Sequence, residues 1–108
     1  MSSLSNYLRT HRKRLALSQE EVAFLLGIGG LDKGIKVCRD ENFTREPSLQ
    51  IALAYEAIYG KPVRELFPGL YGQVARKVAA RAKVLSYRQT GKPQRQEVIT
   101  NLVSKLTA

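Results

Sequence analysis

The chain has 108 residues, with 18 Lys and Arg against nine Asp and Glu and a formal net charge of +9. That length bounds it to one domain, with at most an appendage, and supplies a modest core without staples. A single cysteine excludes an internal disulfide, and no apolar run reaches the roughly 18 residues of a membrane span, so the expectation is a soluble cytoplasmic protein without a targeting segment.

The positive surplus is uneven. Residues 1–69 carry ten Lys/Arg against eight Asp/Glu, a balance of +2, whereas residues 70–108 carry eight against one, a balance of +7. Such an excess suits a polyanionic partner, and a solvated basic tail accounts for it nearly as well.

Apolar spacing predicts an all-α chain, because no stretch alternates apolar and polar residues for long enough to suggest a strand. A first helix over about Leu4 to Leu15 places Leu4, Leu8 and Leu15 on one face, with Arg9, Lys13 and Arg14 elsewhere. Ser18 to Leu26 forms a second. Its Ser18 accepts a hydrogen bond from the Glu21 amide, the Glu21 carboxylate reaches back to the Ser18 amide, and Gly27 supplies the left-handed residue that ends it. So short a helix must bury Val22, Leu25 and Leu26 against others, and the methyl group of Ala23 admits a crossing helix. The next eleven residues, Gly27 to Val37, hold four glycines and predict a loose connection, with helix resuming near Lys33 to Ile35 and ending near Asn42.

Ser48 caps a fourth helix that carries Leu49, Ala52, Leu53, Ala57 and Ile58 and stops at Gly60. Pro62 opens a short fifth helix, Val63 to Phe67, which Pro68-Gly69 closes. A longer helix from Leu70 to about Tyr87 lines up Val74, Val78, Ala82 and Leu85, and Gln89 to Pro93 interrupts it. A last helix, about Gln94 to Leu106, carries Val98, Ile99, Leu102, Val103 and Leu106. The expected organisation is therefore a helical domain over 1–69 followed by a basic helical hairpin over 70–108.

Arg12, Leu15, Ser18-Gln19-Glu20-Glu21-Val22-Ala23, Leu26-Gly27, Val37-Cys38-Arg39, Glu41, Pro47-Ser48-Leu49, Ala54 and Glu65-Leu66-Phe67 are the residues of a pattern. Over about Tyr7 to Phe67 it resembles the lambda-repressor-like, or Xre-type, helix-turn-helix domains. The resemblance implies a five-helix DNA-binding domain of a transcriptional regulator, acting on double-stranded operator DNA as a homodimer. It implies a recognition helix over about 34–42 in the major groove, where the Arg39 guanidinium can take guanine O6 and N7 together and Lys36 and Lys33 can reach base edges or phosphates. It further implies DNA-backbone contacts from Ser18 and Gln19 at a helix N-terminus and from Asn42, Thr44 and Arg45 in the following loop. Arg12 and Glu41 match a buried structural ion pair. Residues 70–108 are expected to form a dimerisation arm or to lie along flanking DNA.

Three features depart from the family pattern. About four extra residues separate Gly27 from Val37, Asp40 stands where an apolar or aromatic residue is usual, and Phe43 stands where glycine is usual. Two rival functions remain beside DNA reading: a protein-interaction adaptor on the same scaffold, favoured by the glycine-rich insert 27–36 and Asp40, and nonspecific nucleic-acid binding through the basic extension. The glycines follow a helix instead of a strand and Asp32-Lys33-Gly34 makes no phosphate loop. Lone Cys38 and His11 predict neither a redox switch nor a metal site, and Glu20-Glu21 are explained by capping, so no enzyme activity, metal or cofactor is expected. The valine and alanine stripe of the basic helix, without Trp, argues against membrane anchoring.

Overall fold

The computed structural model describes residues 5–30, 33–88 and 92–107. Among them all regular structure is helical: α1 (Leu8–Arg14), α2 (Gln19–Leu25), α3 (Lys33–Glu41), α4 (Leu49–Tyr59), α5 (Val63–Leu66), α6 (Pro68–Ser86) and α7 (Pro93–Thr107). The chain divides into two compact units, Met1–Leu70 and Tyr71–Ala108. The expectations placed on Leu4, on residues 31–32 and on residues 89–91 fall outside the described residues.

Local hydrogen bonds set the helix ends of the first unit. Ser18 Oγ accepts from the Glu21 amide at 3.0 Å and Glu21 Oε1 accepts from the Ser18 amide at 2.8 Å, so two of the amide donors left open at the start of α2 are satisfied. Ser48 Oγ accepts from the Ile51 amide at the start of α4, and the Glu56 carboxylate accepts from the Val63 amide at the start of α5. Three helices stop in the same way. The amides of Leu17, Ile28 and Thr44 reach back five residues to the carbonyls of Arg12, Ala23 and Arg39, across residues Ala16, Gly27 and Phe43 at φ 57°, 78° and 51°. Phe43 thus adopts a left-handed conformation that glycine takes up more readily. That conformation costs a non-glycine residue about 1–2 kcal/mol, which the packing of its half-buried ring near Phe67, 6.3 Å between centroids, helps to offset.

The core of the first unit gathers Leu8 from α1, Val22 and Ala23 from α2, Val37 from α3, Ala52, Tyr55 and Tyr59 from α4, and Leu66 and Phe67 at α5. Ala23 is fully buried, as a waist for crossing helices requires. Several expected core positions are not buried. Leu15, Leu25, Leu49 and Leu53 are exposed, and Tyr55 and Tyr59 fill the interior of α4 in place of the leucines. The cause is visible in α4 itself: Leu-Gln-Ile-Ala-Leu-Ala-Tyr-Glu-Ala-Ile-Tyr is apolar around most of its circumference, so periodicity does not choose the buried side. Pro68-Gly69, expected to close α5, instead opens α6, because a proline in the first turn forfeits no helical hydrogen bond.

In the second unit Ala79, Ala82 and Ile99 are buried and Leu102, Val103 and Leu106 are half-buried. Val74, Val78, Leu85 and Val98, expected on the packed stripes, stay exposed. The Gln96 side-chain amide donates to the Ser86 carbonyl at 3.3 Å. Among the described residues no helix is long and apolar enough to cross a membrane.

Candidate functional site

The sequence-predicted site residues collect on α3, on the N-terminus of α2 and in the loop after α3. Gly34 lies inside α3 and not in a loose loop. A Cβ there would stand 3.2 Å from Glu20 Cγ, so the missing side chain lets the start of α3 approach α2 closely. Lys33, Lys36 and Arg39 follow at three-residue steps, each turning about 60° short of a full circle, and so share one broad face. Arg39 is exposed and the two lysines are half-exposed.

The carboxylates of both acidic residues of α3 are buried in ion pairs, although Asp40, seven residues after Lys33, falls between Lys33 and Lys36 around the helix. Glu41 accepts from Arg12 Nε at 2.6 Å, from Arg12 Nη2 at 3.3 Å and from Gln19 Nε2 at 3.1 Å. Both partners are nearly dry, with side-chain exposures of 12% for Arg12 and 3% for Glu41. Arg12 also donates to the Leu17 carbonyl, so one guanidinium ties α1 to the α1–α2 connection and to the end of α3. The Glu41 hydrogen bond holds the Arg12 pKa above its ordinary value.

Asp40 is fully buried. Its carboxylate accepts from Arg45 Nε at 3.0 Å, from Arg45 Nη2 at 3.3 Å and from the Tyr55 hydroxyl at 2.8 Å. Its backbone carbonyl accepts from Asn6 Nδ2 at 3.0 Å, and Asn6 Oδ1 accepts from the Leu8 amide at the start of α1. Asp40 is therefore a junction between α3, α4 and the segment before α1. Its burial removes it as a surface contact for an adaptor.

These networks decide which predicted contacts are free. Ser18, Asn42 and Thr44 are exposed; Ser18 caps α2, the Thr44 hydroxyl donates to the Arg39 carbonyl, and the Asn42 amide donates to Cys38 Sγ at 3.5 Å. Gln19 is turned onto Glu41 and Arg45 is clamped by Asp40, so neither side chain is uncommitted. Ser18, Gln19 and Asn42 meet in a shallow groove of about 450 Å³ that also takes in Arg9, Arg12, Cys38 and Glu41. Arg9 is exposed at its edge. No motif marked it; a basic residue on the polar side of α1 was its sole sequence signal.

Tyr55 and Tyr59 offer a test of this network by one substitution at two positions. Among the described residues the buried Tyr59 hydroxyl has no hydrogen-bond partner, whereas that of Tyr55 is bonded to a carboxylate. Tyr55→Phe is expected to lose about 1.5–3 kcal/mol of stability and Tyr59→Phe to gain about 1 kcal/mol, read by urea denaturation. Equal effects would place both hydroxyls in the same environment. Burial, and then the negative charges of Asp40 and Glu41, push both phenol pKa values up. The unfolded chain ionises first, so stability falls as pH rises above about 10, by about 1.4 kcal/mol per pH unit for each tyrosine.

No family model, no curated protein and no solved structure matches the chain.

Proposed function

We propose that the chain is a sequence-specific binder of double-stranded DNA and a transcriptional regulator, built as a five-helix lambda-repressor-like domain with a basic helical extension. One observation carries the reading. The carboxylates of the two α3 acids are buried and neutralised by Arg12 and Arg45, which leaves exposed Arg39 and half-exposed Lys33 and Lys36 as the α3 charges in contact with water. A helix whose acids are buried and whose water-accessible charges are basic suits a major groove, where Arg39 reads guanine and the lysines reach bases or phosphates. Exposed Ser18, Asn42, Thr44 and Arg9 lie where backbone phosphates would flank it. Residues 70–108, at +7, suit flanking phosphates better than self-pairing, since a dimer arm would oppose two such charges.

The experiment is selection from a random duplex library followed by gel-shift titration. The expected result is enrichment of a defined, two-fold symmetric site and a loss of about 1–3 kcal/mol, roughly fivefold to 150-fold, for Arg39→Ala on that site. Folding should be unchanged because Arg39 is exposed. Equal affinity for every sequence would leave the basic extension as the binder. Absence of nucleic-acid binding at low salt would favour the adaptor reading, which rests on Phe24, 75% exposed, and exposed Leu25 beside Lys33 in a shallow depression.

A further inference from the structure

The helical hairpin of the second unit leaves much of its apolar surface in water. Ala79 and Ala82 of α6 and Ile99 of α7 are buried, and the Gln96 amide on the Ser86 carbonyl holds the start of α7 to the end of α6, so α7 runs back antiparallel. Around α6, at about 100° per residue from Ala79, Ala82 lies at about −60°, and Tyr71, Val78, Leu85 and Val74 follow between about −80° and −140°. All four are exposed. Around α7, counted from Ile99, half-buried Leu102 lies at about −60° and Val98 at about −100°. Val98 is 63% exposed. In two antiparallel right-handed helices that face each other through Ala79 and Ile99 the negative sides coincide, so these six residues line one apolar groove.

Cations stand on both of its rims. Arg81 comes next after Val74 around α6, at about −160°, and Lys105 next after Val98 around α7, at about −120°. Both are exposed, and the ion pairs among the described residues lie in the first unit. No acid lines the groove: α6 contains none, and Glu97, the one acid of α7, falls at about 160°, on the opposite side. The geometry points to an acidic amphipathic helix of another protein as the occupant, its apolar ridge laid between α6 and α7 and its carboxylates at Arg81 and Lys105. Phosphates alone would leave the apolar walls in water, and a second copy would set the same cations against Arg81 and Lys105. A groove floored by alanine and walled largely by valine and leucine takes the ridge of one helix, whereas an anionic bilayer is gripped by protruding large side chains. Arg76 and Lys83, at about 60° and 40° from Ala79, lie on the other side and remain for flanking phosphates. One helix in one groove buries less than the ~800 Å² per partner of a standard interface, so the complex is expected to dissociate in the micromolar range.

This inference goes beyond DNA reading and stands without it. The test is titration of the full chain, without DNA, into dye-labelled synthetic peptides, read by fluorescence anisotropy at physiological salt, with circular dichroism as a check on folding. The probe is a three-heptad helix with leucine at its a and d positions and glutamate at e and g; one control replaces the leucines by glutamine and another the glutamates by lysine. Saturable one-to-one binding of the probe, and of neither control, is expected. Val78→Lys removes apolar contact and adds a cation, so it should weaken binding by about tenfold or more, whereas a purely electrostatic attraction would strengthen. Val74→Lys, at a more exposed position, should do the same and serves if Val78→Lys disturbs folding. Arg81→Glu combined with Lys105→Glu should transfer binding from the glutamate peptide to the lysine peptide. Equal binding of the glutamine control, tighter binding by Val78→Lys, or co-sedimentation with phosphatidylserine vesicles that Val78→Lys abolishes would each overturn the assignment. Arg39→Ala should leave peptide binding unchanged, which separates this result from the fate of the DNA reading; a loss there would place the acidic helix on α3 instead.

Discussion

Glu41→Ala is expected to lower the unfolding free energy by about 3–5 kcal/mol, a large part of the stability available to a domain of this size. The lost attraction is not the main cause. Without Glu41, the Arg12 guanidinium stays nearly dry between α1 and α3 with the Leu17 carbonyl as its remaining partner, and the Gln19 amide loses its acceptor. An uncompensated buried charge is what makes removal of one partner so costly. Urea denaturation at neutral pH measures it, with Glu46→Ala, an exposed carboxylate, as a control expected within about 0.5 kcal/mol of wild type. Replacing both partners by apolar residues should cost less than the two single losses added together, since neither charge is then stranded. A loss below about 1 kcal/mol for Glu41→Ala would mean that water reaches the pair.

The second large effect has an asymmetry that geometry alone predicts. Arg45→Ala strands a carboxylate with no exposed surface, while Asp40→Asn releases a guanidinium that is already 37% exposed and can turn to water. Arg45→Ala is therefore expected to cost about 3 kcal/mol, the low end for a buried pair because water follows the departing side chain, and Asp40→Asn about half as much. The reverse order, measured by the same denaturation curves, would show that Asp40 is hydrated. The consequence reaches function. A drop in DNA binding for Arg45→Ala would be produced by loosening the end of α3 as readily as by losing a phosphate contact, so it has to be compared at equal folded fraction.

Much of the local architecture was legible. The α2 capping box, the Ser48 cap and the stops at Gly27 and Gly60 are hydrogen-bonding or backbone signals contained within a few residues, and all four are present. The inside of α4 was not legible. Leucine and tyrosine compete for burial there on nearly equal hydrophobic terms, and Tyr55 won because a buried carboxylate lies opposite it, a partner 15 residues away. The same holds for Gln19 and Arg45. The resemblance implies that they are phosphate ligands, and only the positions of Glu41 and Asp40 reveal that their donors are in use.

By itself the sequence determined the helical class, most helix ends and the basic surplus beyond residue 69, because each depends on short spacings or on composition. Tertiary structure decided which side of each helix is dry and which charges remain to act on a partner. The resemblance implies the Arg12–Glu41 pair, but nothing in the sequence joins Asp40 to Arg45; packed against α1, α2 and α4, both acids are consumed by arginines. Burial and pairing are properties of residues brought together from distant positions, and it was their geometry that left α3 with only positive charges in contact with water.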